Sequence, residues 1–302
     1  MAEPALAPDD APDGARGGAP GRAPGGAPGG APGGSYRPGE MAGGLEQELR
    51  RLDLQAQLSW PHEARVLEEL GLRDGMSVLD AGCGSGAVTA LLRSRFPGSR
   101  VAGLENDPEL LAVARRRFPA DAVPLHRGDL TEPAALDGCG APFDAVLARF
   151  VFQHLADPVA AATALRGALV PGGLLAVCDV DAVLWGAAVP DFEQLSAEAY
   201  RRLGAVQASD GGDRLVVRRL PRILAQAGFT DVTVRPYAYT SDEVGLDALA
   251  PQVSPERLLP LVARGALTLA EYRRAFAAWQ RFRQVDGFVL LLGFVVAARR
   301  PH

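Results

Sequence analysis

The sequence contains no lysine, so all 31 of its basic residues are arginine, and they stand against 36 acidic residues. The formal net charge of −5 argues against a protein that depends on contacts with a nucleic-acid backbone, because such proteins usually carry a basic surface. We therefore expect no nucleic-acid partner.

Cysteine is scarce as well. Cys83, Cys139 and Cys178 are the three cysteines of the chain, and their spacing fits neither a zinc site nor a redox pair. We predict small buried thiols, no bound metal and a reducing, cytoplasmic location.

The sequence also lacks an apolar run long enough to cross a membrane. Residues 288–298 form the most apolar stretch, and a spanning helix needs about 20 residues. The N-terminus has no apolar core and is broken by prolines, which argues against a signal peptide. Residues 1–43 are instead rich in Ala, Pro and Gly, a composition that cannot bury enough apolar surface to offset the entropy of ordering. We predict a disordered leader over residues 1–43 and one domain over residues 44–302.

What the sequence does contain is a glycine-rich turn between a strand and a helix. Residues 77–86 read S-V-L-D-A-G-C-G-S-G, and the apolar V-L pair predicts a short buried strand. Apolar residues at helical spacing follow this turn. Gly82, Gly84 and Gly86 let the backbone bend sharply and let a ligand approach main-chain N–H groups at a helix N-terminus.

Two kinds of cofactor suit such a turn, and Asp80 separates them. Gly82, Gly84 and Ala87 satisfy the dinucleotide pattern G-x-G-x-x-G/A. A pyrophosphate bound there would lie beside the like charge of Asp80, which is unfavourable in a partly desolvated site. S-adenosylmethionine carries no phosphate, and its ammonium and sulfonium suit a carboxylate. The run D-A-G-C-G-S-G resembles motif I of the class I S-adenosylmethionine-dependent methyltransferases. We expect that cofactor, with an NAD(P)-dependent oxidoreductase as an alternative.

Further landmarks of the same family occur in order between residues 73 and 181. An acidic residue about 20 positions beyond the glycines can bind ribose hydroxyls, a role that suits Glu105. The resemblance implies that Asp129 bonds the adenine amino group and that the backbone of Leu130 lies beside the ring. The expected cofactor-binding residues are Asp80, Gly82, Gly84, Gly86, Glu105, Asn106, Asp129, Leu130 and Arg149.

Strands alternate with helices from residue 76 to residue 181, which predicts a parallel sheet with a ligand crevice at the carboxyl ends of its strands. We expect a Rossmann-like α/β fold with a seven-stranded, mostly parallel sheet flanked by helices. Two N-terminal helices, separated at Trp60-Pro61, precede the sheet. A helical insertion lies between the sixth strand and an antiparallel seventh. The expected helical lid segments are residues 44–71, 185–212 and 243–284.

Methyl transfer from a sulfonium is an in-line displacement, so positioning and exclusion of water can supply most of the catalysis. If the acceptor needs a base, His154 is the best-placed candidate, because imidazole titrates near neutral pH. The alternative is a histidine that only packs. Asp181 is a second candidate, as a base or an orienting group, unless it only caps the segment that follows. Arg149 could bind an acceptor carboxylate or form a salt bridge, and we favour the bridge.

The acceptor class is partly decided by absent motifs. After the predicted fourth strand there is neither D/N-P-P-Y/F/W nor Pro-Cys, which argues against methylation of DNA bases. We expect a small, partly apolar acceptor that is methylated on O, N or C, as in the quinone-biosynthesis and natural-product tailoring branches that the chain resembles. A catalytically silent module that binds the cofactor is an alternative, and the oligomeric state stays open. The aromatic candidates for an acceptor pocket are Trp60, Trp185, Tyr200 and Trp279, although Trp60 is more typical of a core anchor.

Overall fold

The structure is a computed structural model that describes residues 35–36, 44–119, 122–184, 186–189, 192–285 and 287–302. Nearly all of the predicted leader lies outside these residues, so its disorder stays a prediction. Among the described residues, no helix has both the length and the hydropathy of a membrane span.

Within the described chain, eight strands form one sheet in the order β3-β2-β1-β4-β5-β8. Strand β6 pairs with the same edge of β8 as β5 does, and β7 pairs with the far edge. The first five strands are parallel, and β8 runs antiparallel to β5 and to β7. The predicted mostly parallel sheet with an antiparallel last strand is therefore confirmed. The strands are β1 Ser77–Ala81, β2 Arg100–Glu105, β3 Leu125–Arg127, β4 Phe143–Arg149, β5 Leu169–Asp179, β6 Gly186–Val189, β7 Thr230–Thr240 and β8 Phe288–Arg299.

The strand that the sequence did not predict is β6, so the count of seven was wrong. Its residues read G-A-A-V, which have neither strong β-propensity nor alternation. It forms because β8 extends past the end of β5. Residues 294–299 of β8 pair with β5, and residues 288–291 offer the same edge to β6.

Helices cover both faces of this sheet. Residues from α1, α2, α9 and α11 form a core on one face, and residues from α4, α5 and α7 form a core on the other. The helices are α1 Gly44–Glu69, α2 Ala87–Arg95, α3 Pro108–Arg117, α4 Pro133–Gly138, α5 Pro158–Gly167, α6 Phe192–Ser209, α7 Leu220–Gln226, α8 Ser241–Val244, α9 Leu246–Val253, α10 Leu259–Ala263 and α11 Leu269–Gln284. Helices α8 to α11 are the predicted insertion before the last strand.

One continuous helix, α1, replaces the two helices predicted around Trp60-Pro61. Proline removes the N–H that would bond the carbonyl of Gln57, which is why a break was expected. Pro61 lies on the exposed side of α1, where water can take up the freed carbonyl. Buried residues on both sides of the proline, such as Ala56 and Ala64, keep the two halves on the same core.

Candidate active site

The glycine loop has the geometry of a ligand cradle. Gly82, Gly84 and Gly86 all have positive φ angles (76°, 55° and 77°), a region that favours glycine. A Cβ at Gly82 would come within 2.5 Å of the Val151 side chain, so no larger residue fits there. The amides of Gly82 and Cys83 both donate to the carbonyl of Leu104, at 2.8 and 3.0 Å, which ties the loop to β2.

Asp80 lies at the end of β1 directly below this loop. Its side chain is buried and accepts a 2.6 Å hydrogen bond from the Thr89 hydroxyl of α2. Burial raises the pKa of Asp80 to about 6, although the Thr89 hydrogen bond and the positive charge of Arg149 oppose the shift. A buried carboxyl with one hydroxyl partner has the capacity to accept bonds from a cationic ligand.

Glu105 joins β2 to the glycine loop. Its Oε2 accepts from the Gly84 amide at 2.8 Å, and its Oε1 accepts from the Asp107 amide at 2.8 Å. Burial raises the pKa of Glu105, with the backbone hydrogen bonds acting in the opposite direction. The carboxylate expected to bind ribose therefore borders the loop expected to hold the methionine part.

Asn106 and Asp129 bring the ends of β2 and β3 together. The Asn106 amide donates to Oδ2 of Asp129 at 3.4 Å, while Oδ1 of Asp129 accepts from the backbone and hydroxyl of Thr131, at 2.8 and 2.6 Å. Leu130 is buried beside them. Apart from Arg149, the expected cofactor residues thus lie at or just past the carboxyl ends of β1, β2 and β3, and their individual roles stay predictions.

Arg149, at the end of β4, forms the ion pair that the sequence favoured. Its Nε donates to Oε2 of Glu63 at 2.8 Å, and both side chains are almost fully buried. Tyr237 of β7 donates to the other Glu63 oxygen at 2.6 Å, and Ser59 accepts from Arg149 at 2.7 Å. Burial would lower the pKa of Arg149, but the facing Glu63 carboxylate raises it above its ordinary value. With its charge balanced by Glu63, Arg149 fixes α1 to the sheet.

His154 ends a short 3₁₀ turn, Phe152–His154, that follows β4. Its Nδ1 lies 3.0 Å from the Ser35 hydroxyl and 3.2 Å from the Gln207 amide nitrogen, and the Tyr36 ring lies against it with centroids 5.1 Å apart. Burial, together with the positive charge of Arg214, lowers the pKa of His154 to about 3. A neutral imidazole with so low a pKa is a weak proton acceptor at neutral pH. The general-base role of His154 therefore has no support in this geometry.

Asp181 is buried and fully engaged in hydrogen bonds. Its Oδ1 accepts from the backbone amides of Val183 and Leu184, at 2.9 and 3.2 Å, and Arg218 binds both of its oxygens. Burial alone would raise the pKa of Asp181, but the Arg218 pair and the backbone bonds hold it below the ordinary value. This is the capping arrangement, the alternative that the sequence left open.

Of the four aromatic candidates for an acceptor pocket, the structure describes the side chains of two. Trp60 and Trp279 are buried in the core against the sheet, and Trp279 stacks on Phe282 with centroids 5.6 Å apart. Trp185 lies outside the described residues, as does the side chain of Tyr200. The three cysteines are buried free thiols, as predicted.

Helix α1 is also attached to the glycine loop itself. Arg117, the last residue of α3, makes two hydrogen bonds to the Asp53 carboxylate of α1, at 2.7 and 2.8 Å. Its Nε donates to the carbonyl of Ser85 at 2.9 Å. The Ser85 hydroxyl donates to Asp53 at 3.4 Å. We call this set, Asp53, Ser85 and Arg117, the loop clasp.

Sequence reasoning missed several residues of this site. Glu63, Tyr237, Gln207 and Arg117 come from segments far from the glycine loop in the chain, so no local spacing joins them to it. Asp179, at the end of β5, was also missed; it is buried and accepts from the backbone amides of Gln153 and Val180. The C-D-V-D run offered two aspartates, and nothing in the sequence alone separates them.

A sheet of this strand order, with a glycine loop after β1 and a carboxylate after β2, defines a Rossmann-like nucleoside-binding domain. Residues 79–175 match a family model described as a methyltransferase domain. Trans-aconitate 2-methyltransferase of Paracidovorax citrulli is 32% identical over 253 residues, which are 78% of this chain and 91% of that protein. The chain belongs to the class I S-adenosylmethionine-dependent methyltransferases, and its cofactor is S-adenosylmethionine. The dinucleotide alternative is therefore wrong.

Other relatives match over shorter shares. Trans-aconitate 2-methyltransferase of Methylobacterium radiotolerans is 34% identical over 56% of this chain, and the chain spans 60% of its length. The chain spans 66% of a transposon protein of Streptomyces fradiae that is 29% identical. Among solved structures, Haemonchus contortus phosphoethanolamine N-methyltransferase 2 in complex with S-adenosyl-L-methionine aligns with a TM-score of 0.48 and 20% identity, over 80% of this chain and 53% of that one.

Proposed function

We propose that the protein transfers the methyl group of S-adenosylmethionine to a carboxylate oxygen of a small polycarboxylate. The observation that carries the proposal is a buried carboxyl, Asp80, beneath a glycine loop with no side chain at Gly82. The Glu105 carboxylate accepts from the amide of Gly84 in the same loop. The acceptor class rests on relatives named trans-aconitate 2-methyltransferase, including the one that this chain covers to 91%. The sequence left the acceptor atom open as O, N or C, and the proposal narrows it to oxygen.

The cofactor supplies a methyl group on a positively charged sulfur. A carboxylate oxygen of the acceptor attacks that carbon, so that a C–O bond forms as the C–S bond breaks and the products are an ester and S-adenosylhomocysteine. The negative oxygen and the positive sulfur neutralise each other, and no proton is transferred. A carboxylic acid is ionised at neutral pH, so its oxygen needs no base. This agrees with a site whose histidine is a weak proton acceptor.

The residues of this chain then bind, orient and exclude water. Asp80 faces the cationic part of the cofactor, and Glu105 and Asp129 take its ribose and adenine. Helix α1, attached through Arg149 and through the loop clasp, shields the crevice from water. Because charge is lost during the reaction, exclusion of water favours the transition state over the separated ions.

The first test is a thermal melt with S-adenosylhomocysteine, S-adenosylmethionine and NADH in parallel. A ligand at 100 times its dissociation constant stabilises the native state by about 2.7 kcal/mol, which moves the midpoint by a few degrees. We expect a shift with the two sulfur nucleosides alone, and its loss in Asp80→Ala and Glu105→Ala. Asp74→Ala is the matched control, because Asp74 also accepts a backbone N–H, that of Gly98 at 2.7 Å, but away from the crevice.

The second test separates an enzyme from a silent binding module. Incubation with trans-aconitate and S-adenosylmethionine should give a methyl ester, seen by mass spectrometry as one added methyl group. Cofactor binding without product from trans-aconitate or other small di- and tricarboxylates would refute the proposed acceptor class. Product from an amine or a carbon acid instead would move the acceptor atom to N or C.

A further inference from the structure

We propose that His154 binds the acceptor as a hydrogen-bond donor through Nε2–H, in a tautomer that Gln207 fixes. The inference rests on the proposed function, because it names how the acceptor is held. It begins from the position of the ring. Val151, three residues before His154, lies against Gly82 of the glycine loop, so the 3₁₀ turn borders the loop that is proposed to hold the cofactor. The His154 residue is only half-buried there.

The orientation of the Gln207 side chain is decided by its partners. Its Oε1 accepts from Nη1 of Arg214 at 3.2 Å, and a guanidinium nitrogen can only donate. Its Nε2 donates to the carbonyl of Gln153 at 2.7 Å. The atom of Gln207 that faces His154 is therefore an N–H donor.

Two groups lie within hydrogen-bond distance of the same imidazole nitrogen. The Gln207 amide and the Ser35 hydroxyl lie 3.2 and 3.0 Å from Nδ1 of His154. A proton on Nδ1 would face the N–H of Gln207 and be repelled, so Nδ1 must accept and the ring proton must be on Nε2. Ser35 also donates its backbone N–H to the His154 carbonyl at 3.0 Å, which holds the residue at both ends.

The Nε2–H group is available to donate a hydrogen bond to a ligand. It makes no hydrogen bond to any residue in the described part of the chain. A neutral donor suits a carbonyl or carboxylate oxygen of the acceptor that does not attack the methyl group, because a bond to the attacking oxygen would make it less nucleophilic. The nearby positive charge of Arg214 favours an anionic acceptor in the same place.

The gap between Gln207 and Ser35 is maintained by Gly212. A Cβ at Gly212 would lie 2.5 Å from the Ser35 hydroxyl, 2.7 Å from the Gln153 carbonyl and 2.8 Å from Cγ of Gln207. Only a residue without a side chain lets these three groups meet around His154. The hydrogen bonds that fix the tautomer thus depend on a specific close approach.

The tautomer can be tested without any catalytic turnover. In ¹⁵N-histidine-labelled protein saturated with S-adenosylhomocysteine, long-range ¹H–¹⁵N spectra distinguish Nε2–H, Nδ1–H and imidazolium forms, and His154→Gln assigns the signal. We expect the neutral Nε2–H form throughout the range of about pH 5 to pH 9. Arg214 and Tyr36 lie near the ring, and Asp179 accepts from the backbone of the preceding residue, Gln153, so a titration of Asp179 should shift the signal without changing the tautomer. An Nδ1–H or imidazolium form at pH 7 would overturn the proposal.

Gln207→Met tests the positioning residue. It removes the amide donor while nearly keeping the side-chain length, so both tautomers should become populated. A purely structural role of Gln207 would lower the melting temperature and leave the tautomer unchanged, and that result would also overturn the proposal.

The donor role is tested with trans-aconitate as the probe. In His154→Gln, the side-chain amide nitrogen can reach the position of Nε2, whereas the shorter side chain in His154→Asn places a group only near Nδ1. Loss of a hydrogen bond to a charged acceptor should lower kcat/KM about ten- to a hundred-fold in H154N, with substantial rescue in H154Q. His302→Asn, at a ring that lies against Gly172 at the opposite end of the sheet, is the control. Equal activity of both His154 variants and wild type would refute the donor role. Failure of wild type to methylate trans-aconitate would refute the proposed function instead, and the tautomer would still be decided by the spectrum.

Discussion

At the scale of single residues, two opposed effects act on the protonation state of Asp80. Burial favours its neutral acid and raises its pKa to about 6, whereas a cationic ligand needs the carboxylate. Thr89 and Arg149 reduce the penalty for ionisation without removing it. Asp80 is therefore partly protonated just below neutral pH when no ligand is bound.

We expect the affinity for S-adenosylhomocysteine to fall as the pH drops below about 6. Binding of the ligand ammonium favours the ionised form of Asp80, so the bound-state pKa is lower than the free-state pKa, and below the free-state value binding must first remove a proton. The fall should approach tenfold per pH unit. Titration calorimetry between pH 5 and pH 8 measures it.

Asp80→Asn should bind more weakly and lose most of this pH dependence, while Glu105→Gln should keep the part that belongs to Asp80. A wild-type affinity that is constant over the whole range would show that Asp80 does not meet the cation.

The cofactor-binding carboxylates predicted from the sequence share one property, which is their position at the end of a strand. Asp80, Glu105 and Asp129 are each read from the end of a strand in their own segment, and the fold brings strand ends together by rule. Gln207 cannot be found that way, because its role comes from partners 53 and 54 positions away in the chain. The environment of His154 could not be predicted for the same reason: its ordinary pKa is a property of the residue, and its lowered pKa is a property of its neighbours.

At the scale of elements, α1 is held over the crevice at separate points along its length. Near its start Arg51 donates to Gln252 of α9 at 2.8 Å, the loop clasp lies in the middle, and Glu63 binds Arg149 further on. Of the attachments beside the crevice, the clasp is partly exposed, with about 30% of each charged side chain accessible, whereas Glu63 is fully buried. We expect the helix to open first at the clasp.

Asp53→Asn should speed the dissociation of S-adenosylhomocysteine severalfold, because it weakens the bond between α1 and the loop that borders the ligand. The free energy of unfolding should change by less than about 1 kcal/mol, as for other partly exposed ion pairs. Stopped-flow displacement measures the rate, and added salt should speed the wild type toward the variant.

Glu68→Gln is the matched control. It breaks the Glu68–Arg95 pair, also 2.7 Å long and also between α1 and a neighbouring helix, but away from the glycine loop. Equal acceleration in both variants would mean that general loosening of α1, and no specific clasp, controls release.

At the scale of the whole molecule, two residues before α1 connect distant parts of the fold. The Tyr36 hydroxyl donates to Glu48 of α1 at 2.6 Å, and Ser35 holds His154 beyond β4. The segment at 35–36 therefore ties the N-terminal helix to the 3₁₀ turn that follows β4.

A protein that begins at residue 33 should melt at the same temperature as the full chain, whereas one that begins at residue 44 should melt several degrees lower. The second truncation removes partners of Glu48 and His154, and a buried group left without its bond costs about 1–3 kcal/mol. Differential scanning calorimetry of the three proteins checks this. Equal midpoints would show that Ser35 and Tyr36 add nothing to stability.

The sequence predicts the parallel half of this molecule better than the rest. Between residues 76 and 181 each strand is followed by its own turn and helix, so local signals are enough. After residue 181 the outcome depends on tertiary partners. Gly186–Val189 becomes a strand because β8 offers a free edge, and α1 stays continuous at Pro61 because the core holds both halves. Such features have no local signal.

Strand β8 has a consequence for how the chain tolerates insertions and deletions. It pairs with β5 and β6 along one edge and with β7 along the other, and Gly293 makes room for the Tyr237 ring that reaches Glu63. Loss of one residue within β8 would turn every later side chain to the opposite face and shift three ladders at once. We therefore expect length variation among natural relatives to be frequent in the helical insertion between β7 and β8 and nearly absent inside β8 itself.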